Sequence, residues 1–365
     1  MDASRDIREH VSSMVAFELE RGIETVRRPF GGIARRLGMD EPEVLRVALG
    51  LRHSGFIRYF GPFLDFRRLG GRGYLFGLKL PRERREEFVS YVCGLPFVTH
   101  SYLRDHRLDL WFTAILDGDS SAGTFCGTLQ EAGIEFIALS AERRIKLRTS
   151  FALGGMHASA GASDAVDDRP EDTWSVRSAC RLNAEQSRLI AALQDNIDLI
   201  PRPFARVARA MRTSEDLVVT EAARLKSDGV LRRIGASIDH RRAGYLWNSL
   251  TAWNLSGVSD EQAAVMAGRA AATRPWVSHC YLRRVIFSNI LAPWPYNLYI
   301  MIHARDESEM AERELLLRRD LSWPECVSLR TLGELKKIPY RYIPENTSYT
   351  TSRIGDGYGE RDEKD

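Results

Sequence analysis

With 365 residues, 44% of them hydrophobic and 28% charged, the chain has the make-up of a soluble globular protein and is too long for one ordinary domain. A net charge of +3, from 52 Lys and Arg against 49 Asp and Glu, is too small to imply a nucleic-acid partner by itself. Cys93, Cys126, Cys180, Cys280 and Cys326 are scattered without a CxxC pair, which excludes the usual zinc and iron-sulfur patterns, and the charged start and lack of a long apolar run predict a cytoplasmic protein with no membrane span.

Taken in order, the chain reads as one unit written twice. Arg28-Pro29-Phe30 returns as Arg202-Pro203-Phe204, an offset of 174 (202 − 28), and the same offset pairs Gly55 with Gly229, Arg58 with Arg232, Gly61 with Gly235 and Asp65 with Asp239. Pro29 and Pro203 start a helix, Asp40 and Ser214 are placed to cap the next, and Gly55 and Gly229 end it before a short strand. This order predicts a winged helix-turn-helix over residues 1–68 and again over 179–242. DNA contact is not expected from either, because the recognition helices open on acids: Asp40, Glu41 and Glu43 in one copy, Glu215, Asp216 and Glu221 in the other.

After each such module the pattern runs strand, helix, strand, strand, helix, strand. The predicted elements are 74–80, 84–93, 98–103, 110–116, 122–132 and 134–139 in the first half, and 246–255, 261–272, 276–283, 297–303, 307–318 and 325–329 in the second. The fold class is therefore α+β: a tandem duplication, each half a winged helix-turn-helix followed by a ferredoxin-like βαββαβ domain, here 69–152 and 243–344. A flexible linker is expected over 153–178 and a disordered tail over 345–365. One face of each sheet would be bare, so the two sheets are expected to lie against each other as an internal pseudo-dimer.

The chemistry concentrates in two stretches, Val98-Thr99-His100-Ser101-Tyr102-Leu103-Arg104 and Val277-Ser278-His279-Cys280-Tyr281-Leu282-Arg283. Strand alternation puts His100, Tyr102 and Arg104 on one face and His279, Tyr281 and Arg283 on its equivalent. Such a face is most often only the wet side of a sheet. His, Tyr and Arg in both copies are nonetheless an expensive way to achieve solubility that Lys and Glu would provide.

The helix-turn-helix and ferredoxin-like layout resembles the Lrp/AsnC architecture. HSYLRDHRLDLWFT from His100, with HCYLRR from His279, WPYNLYIMIH from Trp294 and ELKKIPYRY from Glu334, resembles more specifically the two subunit types of siroheme decarboxylase. The resemblance covers nearly all of both halves. It implies decarboxylation of two acetate side chains of siroheme to 12,18-didecarboxysiroheme, for haem or haem d1 formation, with no added cofactor because the substrate carries the iron. Family members often pair the two subunit types, and the fusion would make that pair internal, with further self-assembly open. Two alternatives stay open: a ligand-responsive regulator of Lrp/AsnC type, and a haem-binding sensor without turnover.

On that reading His100 and His279 are candidate general acids or iron ligands, with Tyr102 and Tyr281 orienting the proton or the carboxylate. Arg104, Arg283, Arg284, Lys336, Lys337 and Arg341 are candidate clamps for the substrate's carboxylates, with Arg143, Arg144 and Arg148 in the matching stretch of the first half. His106, Trp294, Tyr296 and Asn297 are further substrate-binding candidates. The pair Tyr296-Asn297 is Leu108-Asp109 in the first copy, which puts its contact there in doubt. His10, His53, His157, His240 and His303 read as surface or packing residues, and 285–293 as a lid or a surface loop.

Overall fold

The computed structural model describes residues 3–147, 179–195, 197–272, 274–322 and 324–342. The expected linker and tail, together with Arg148 and His157, lie outside these residues. The first half runs α1 (Ala3–Arg21), α2 (Phe30–Leu37), α3 (Glu41–His53), β1 (Ile57–Leu64), β2 (Arg72–Lys79), α4 (Arg85–Gly94), β3 (Val98–Arg104), β4 (Leu110–Leu116), α5 (Asp119–Glu131) and β5 (Glu135–Leu147). The second repeats that order with α6 (Ala184–Gln194), α7 (Pro203–Met211), α8 (Glu215–Ser227), β6 (Leu231–Ile238), β7 (Trp247–Trp253), α9 (Asp260–Ala272), β8 (Val277–Ser288), β9 (Leu298–Ala304), α10 (Glu307–Asp320) and β10 (Cys326–Lys337).

Local chemistry accounts for most element ends. Gly38 closes α2 at φ 64° and Gly55 and Gly229 take φ 73° and 72° after α3 and α8, values that favour a residue without Cβ. Ser214 accepts from the Leu217 amide to cap α8, whereas Asp40 sits at the start of α3 without making that bond. Two helices, α1 and α6, extend the helix-turn-helix modules beyond what their sequence suggested. They bury Val15 and Leu19, and Leu189, Ile190 and Leu193, in the core that the two modules share.

That core is joined by β1 and β6, which pair antiparallel about Gly61 and Gly235. The pseudo-twofold axis of this ribbon thus passes through residues that match at the offset of the repeat. The acids that open the recognition helices are taken up by arginines: Glu41 by Arg28, Glu215 by Arg202, and Asp216 by Arg27 at 2.7 Å across the two halves.

The sheets depart from expectation. They do not lie face against face; they join edge to edge in a closed eight-stranded barrel of order β10-β3-β4-β2-β5-β8-β9-β7. Within it each half keeps the ferredoxin-like order, and the closure comes from β3 pairing with β10 and β5 with β8. Closure leaves no bare edge, and the helices cover the outside. Phe76, Phe112 and Phe125 pack the first sheet on α5, with ring centroids 5.0 Å (Phe76 to Phe112) and 5.3 Å (Phe76 to Phe125) apart, while Ala263, Ala267 and Ile300 do so for the second sheet. Inside the barrel, Leu75, Trp111, Leu139, Leu250, Tyr299 and Leu329 fill one end. The closure also sets which residues stand opposite the histidine strands: Lys337 pairs with His100 and Leu147 with His279, an offset of 190 (337 − 147).

The stretch 285–293 is not a lid. Its start continues β8 along β5, Asn289 exchanges hydrogen bonds with Phe136 and Ile134, and Phe287 packs on Gly123 of α5.

Candidate active site

A bulge in each histidine strand decides what faces the barrel interior. Pairing steps from Val98 opposite Ala114 to His100 opposite Thr113, and from Val277 opposite Ile302 to His279 opposite Met301, so Thr99 and Ser278 are the extra residues. Hydroxyl and imidazole then share one side: Thr99 Oγ1 lies 3.0 Å from His100 Nδ1, and Ser278 Oγ lies 2.8 Å from His279 Nδ1. Ser278 Oγ also meets His303 Nε2 at 2.8 Å.

These groups line one cavity of about 950 Å³. Its floor is the apolar plug containing Trp111, Leu250 and Tyr299, and its roof is the β1–β6 ribbon with Phe17 and Arg21 of α1. The volume is at the upper end of the roughly 300–1,000 Å³ found for small-molecule sites. The structure brings His100, Tyr102, Arg104, His279, Tyr281, Arg283, Lys337 and Arg341 to this wall. The two strands present matching guanidinium-on-phenol contacts, Arg104 Cζ at 4.8 Å from the Tyr102 ring centre and Arg283 Cζ at 5.0 Å from that of Tyr281.

Other expected residues sit elsewhere. Arg284 points outward to Glu142 at 3.4 Å, because it follows Arg283 on the strand's opposite side. Lys336 likewise turns out of the barrel and donates to the Leu95 carbonyl at 2.8 Å. Trp294 donates to the Tyr299 hydroxyl at 2.6 Å and packs 5.7 Å from both His106 and Trp111, so Trp294 and His106 close the floor from below. Tyr296 donates to Glu325 Oε1 at 3.1 Å. Asn297 fixes a strand crossing by accepting from the Leu255 amide, as Asp109 does from the Leu80 amide. The two copies therefore agree at that position, and the difference between Asn297 and Asp109 costs the first copy no wall residue.

Conversely, His240 and His303, read from the sequence as surface or packing residues, are wall residues with ring centroids 4.9 Å apart. Arg58, Arg232 and Arg233 of the ribbon join them. Repetition could not have revealed the two histidines, since their counterparts at the repeat offsets are Phe66 and Ile115.

Electrostatics are set by one ammonium among four imidazoles. Lys337 Nζ lies 3.2 Å from His240 Nδ1, and Glu334 partly balances it at 3.7 Å. Burial, and next the Lys337 charge, push His100 and His240 down to about 3 and His279 to about 4. Burial, followed by the neighbouring His240 and His279, holds His303 well below the ordinary imidazole range. Burial also depresses Arg104, to about 10, and Arg283.

A stability prediction follows. These histidines have lower affinity for protons folded than unfolded, so unfolding should be insensitive to them above about pH 6.5. Their stabilisation should be lost as pH falls from there toward about 3 to 4, by at most about 1.4 kcal/mol per pH unit for each histidine. Urea midpoints measured between pH 7 and pH 5 should fall less steeply for H240N than for the unaltered chain. An equal slope would mean that His240 binds its proton as freely in the fold as outside it.

Comparison with known proteins places this geometry. Residues 186–232 match the siroheme decarboxylase NirDL-like HTH domain and residues 242–336 the AsnC-like ligand binding domain. The chain is 30% identical to a siroheme decarboxylase NirDL subunit of Paracoccus pantotrophus, covering 90% of each, and 29% identical to a siroheme decarboxylase of Hydrogenobacter thermophilus, covering 90% of this chain and 93% of that one. The crystal structure of the siroheme decarboxylase NirDL superposes with a TM-score of 0.66 at 25% identity over 92% of this chain and 94% of that one; NirDL has also been crystallised with an iron-uroporphyrin III analogue. The barrel, its doubled histidine strands and likeness along nearly the whole chain agree, and this chain belongs to the siroheme decarboxylase family.

Proposed function

We propose that the chain decarboxylates two acetate side chains of siroheme, giving 12,18-didecarboxysiroheme for haem or haem d1 formation, within the cavity that both halves line. The observation that carries this is the wall itself: an apolar floor for a flat macrocycle, with guanidiniums, an ammonium and four imidazoles around it for a rim of carboxylates. Loss of carbon dioxide leaves the bonding electron pair on the acetate methylene carbon, conjugated with the macrocycle, and one proton delivered there makes a methyl group. His100 and His279 are the donors on this reading. With Nδ1 held by Thr99 or Ser278, Nε2 is the nitrogen that delivers the proton.

Without a substrate charge beside them both imidazoles are neutral at pH 7. A polycarboxylate brought within a few ångströms reverses the local field and favours the imidazolium, so the substrate's own charge loads the acid. The clamps hold propionates and non-reacting acetates; a guanidinium on the departing carboxylate would stabilise the ground state and slow the step. Tyr102 and Tyr281, each under an arginine, orient the groups between. No added cofactor is assigned, because the substrate supplies the iron.

The chain is read as a tandem duplication with domain limits at 68, 152, 178, 242 and 344, its halves standing for the family's two subunit types as an internal pseudo-dimer. The common order of elements and the axis through Gly61 and Gly235 support this. The arginines bound to the first-turn acids weigh against DNA as a partner, and among the described residues no helix is long and apolar enough to cross a membrane. Cytoplasmic placement is proposed on that basis and on the unpaired cysteines. The test is anaerobic incubation with siroheme followed by product mass: loss of two carbon dioxides is expected, and an unchanged mass with tight binding would replace the enzyme by a haem-type sensor.

A further inference from the structure

The pseudo-twofold axis relates Arg58 to Arg232 on the ribbon and Arg104 to Arg283 on the histidine strands, yet the two pairs are treated differently. Arg58 is neutralised twice, by Glu334 and by Asp239 at 2.7 Å. Arg104 Nη1 donates to the Leu329 carbonyl at 2.9 Å and the Thr331 hydroxyl at 2.7 Å, though its Nε has no such partner. On the other side neither arrangement is made. The counterpart of Asp239 is Asp65, but Arg67 holds that carboxylate through Nε at 2.8 Å and Nη2 at 2.5 Å. The register places Arg144, opposite Tyr281, where Glu334 stands opposite Tyr102, and Ala141, opposite Arg283, where Thr331 stands opposite Arg104.

The result is an edge with unspent donors. Arg232 is half-buried on the cavity wall with no hydrogen bond or ion pair among the described residues, and Arg283 keeps Nε and Nη1 buried without a hydrogen-bond partner there. A buried guanidinium left so is costly unless a ligand completes it.

We infer that Arg232 and Arg283 form the carboxylate-binding edge of the cavity, and that this edge, lacking on the side of Arg58 and Arg104, fixes which way round a polyanionic macrocycle binds. The inference rests on the siroheme reading above and names its specificity residues. A twofold barrel would otherwise accept the substrate in either of two orientations and present the wrong side chains to the histidines in one. Arg67 acts as a positioning residue: it keeps Asp65 from capturing Arg232.

The test is absorbance titration of the full chain with iron-uroporphyrin III, and with iron-coproporphyrin III, which lacks the acetates. The unaltered chain should prefer the former. R232Q should weaken iron-uroporphyrin binding about tenfold or more and shrink that preference, with R232K recovering part of the loss. R67Q should weaken it as well, although Arg67 is not a wall residue, and R67Q/D65N should restore it. An R232Q affinity within about twofold of the unaltered chain, or an R67Q that binds normally, overturns the inference. If the unaltered chain binds neither porphyrin, the siroheme reading falls with it; if it shows this Arg232-dependent binding but leaves siroheme intact, only the reading of turnover falls.

Discussion

Replacing His100 or His279 by Ala is expected to slow carbon dioxide loss by about 10² to 10⁴, with iron-uroporphyrin III affinity changed by less than about threefold. The rate should suffer because protonation of the methylene carbon is concerted with, or closely follows, loss of the carboxyl group, and water is a far weaker acid than an imidazolium. Binding should survive because the guanidiniums and the apolar floor are untouched. The two variants should also differ in product. If each imidazole serves one acetate, each variant should stall at a monodecarboxylated macrocycle, the missing step differing between them, and mass analysis of early products reads this directly. Two variants with unaltered rates would remove both residues from the chemistry and leave Tyr102, Tyr281 or His303 as donors.

Much of the architecture was legible because it is local. The helix-turn-helix punctuation by Pro29, Pro203, Gly55 and Gly229, and the strand and helix order of both halves, depend on neighbours a few residues apart, and the structure repeats them. The shared face of His, Tyr and Arg was legible for the same reason. Alternation fixes which side chains travel together, and all of them reach the wall.

Closure of the barrel was not legible. It is decided by edge pairing between β3 and β10 and between β5 and β8, strands far apart in sequence whose hydrogen bonds leave no mark on composition. That one difference redistributes the basic candidates. Lys336 and Arg284 are adjacent to true wall residues but on the wrong side of the pleat, and a tail that looked like one cationic cluster becomes Lys337 inside and Lys336 outside. The bulges at Thr99 and Ser278 were hidden as well, so the hydroxyls that hold the imidazoles looked like residues of the opposite face. His240 escaped because it follows the ribbon as a single residue without a copy, and His303 because it lies on a strand whose counterpart is wholly apolar there.

Removal of Lys337 has the second large expected effect. On the first histidine strand an ammonium faces His100; on the second the equivalent place holds Leu147 facing His279. Since the Lys337 charge disfavours imidazolium, K337M should raise the proton affinity of His100, His240 and His279 together. The acidic form then persists to higher pH, and the alkaline limb of the pH profile of kcat should move up by about one unit or more. KM for the polyanionic substrate should rise in the same variant, because a cation has left the wall. The reciprocal change L147K puts an ammonium opposite His279 and should move its limb down while lowering KM. Should KM rise in K337M with the limb unmoved, Lys337 would be a binding charge alone, and the substrate rather than the protein would set when the imidazoles take up their protons.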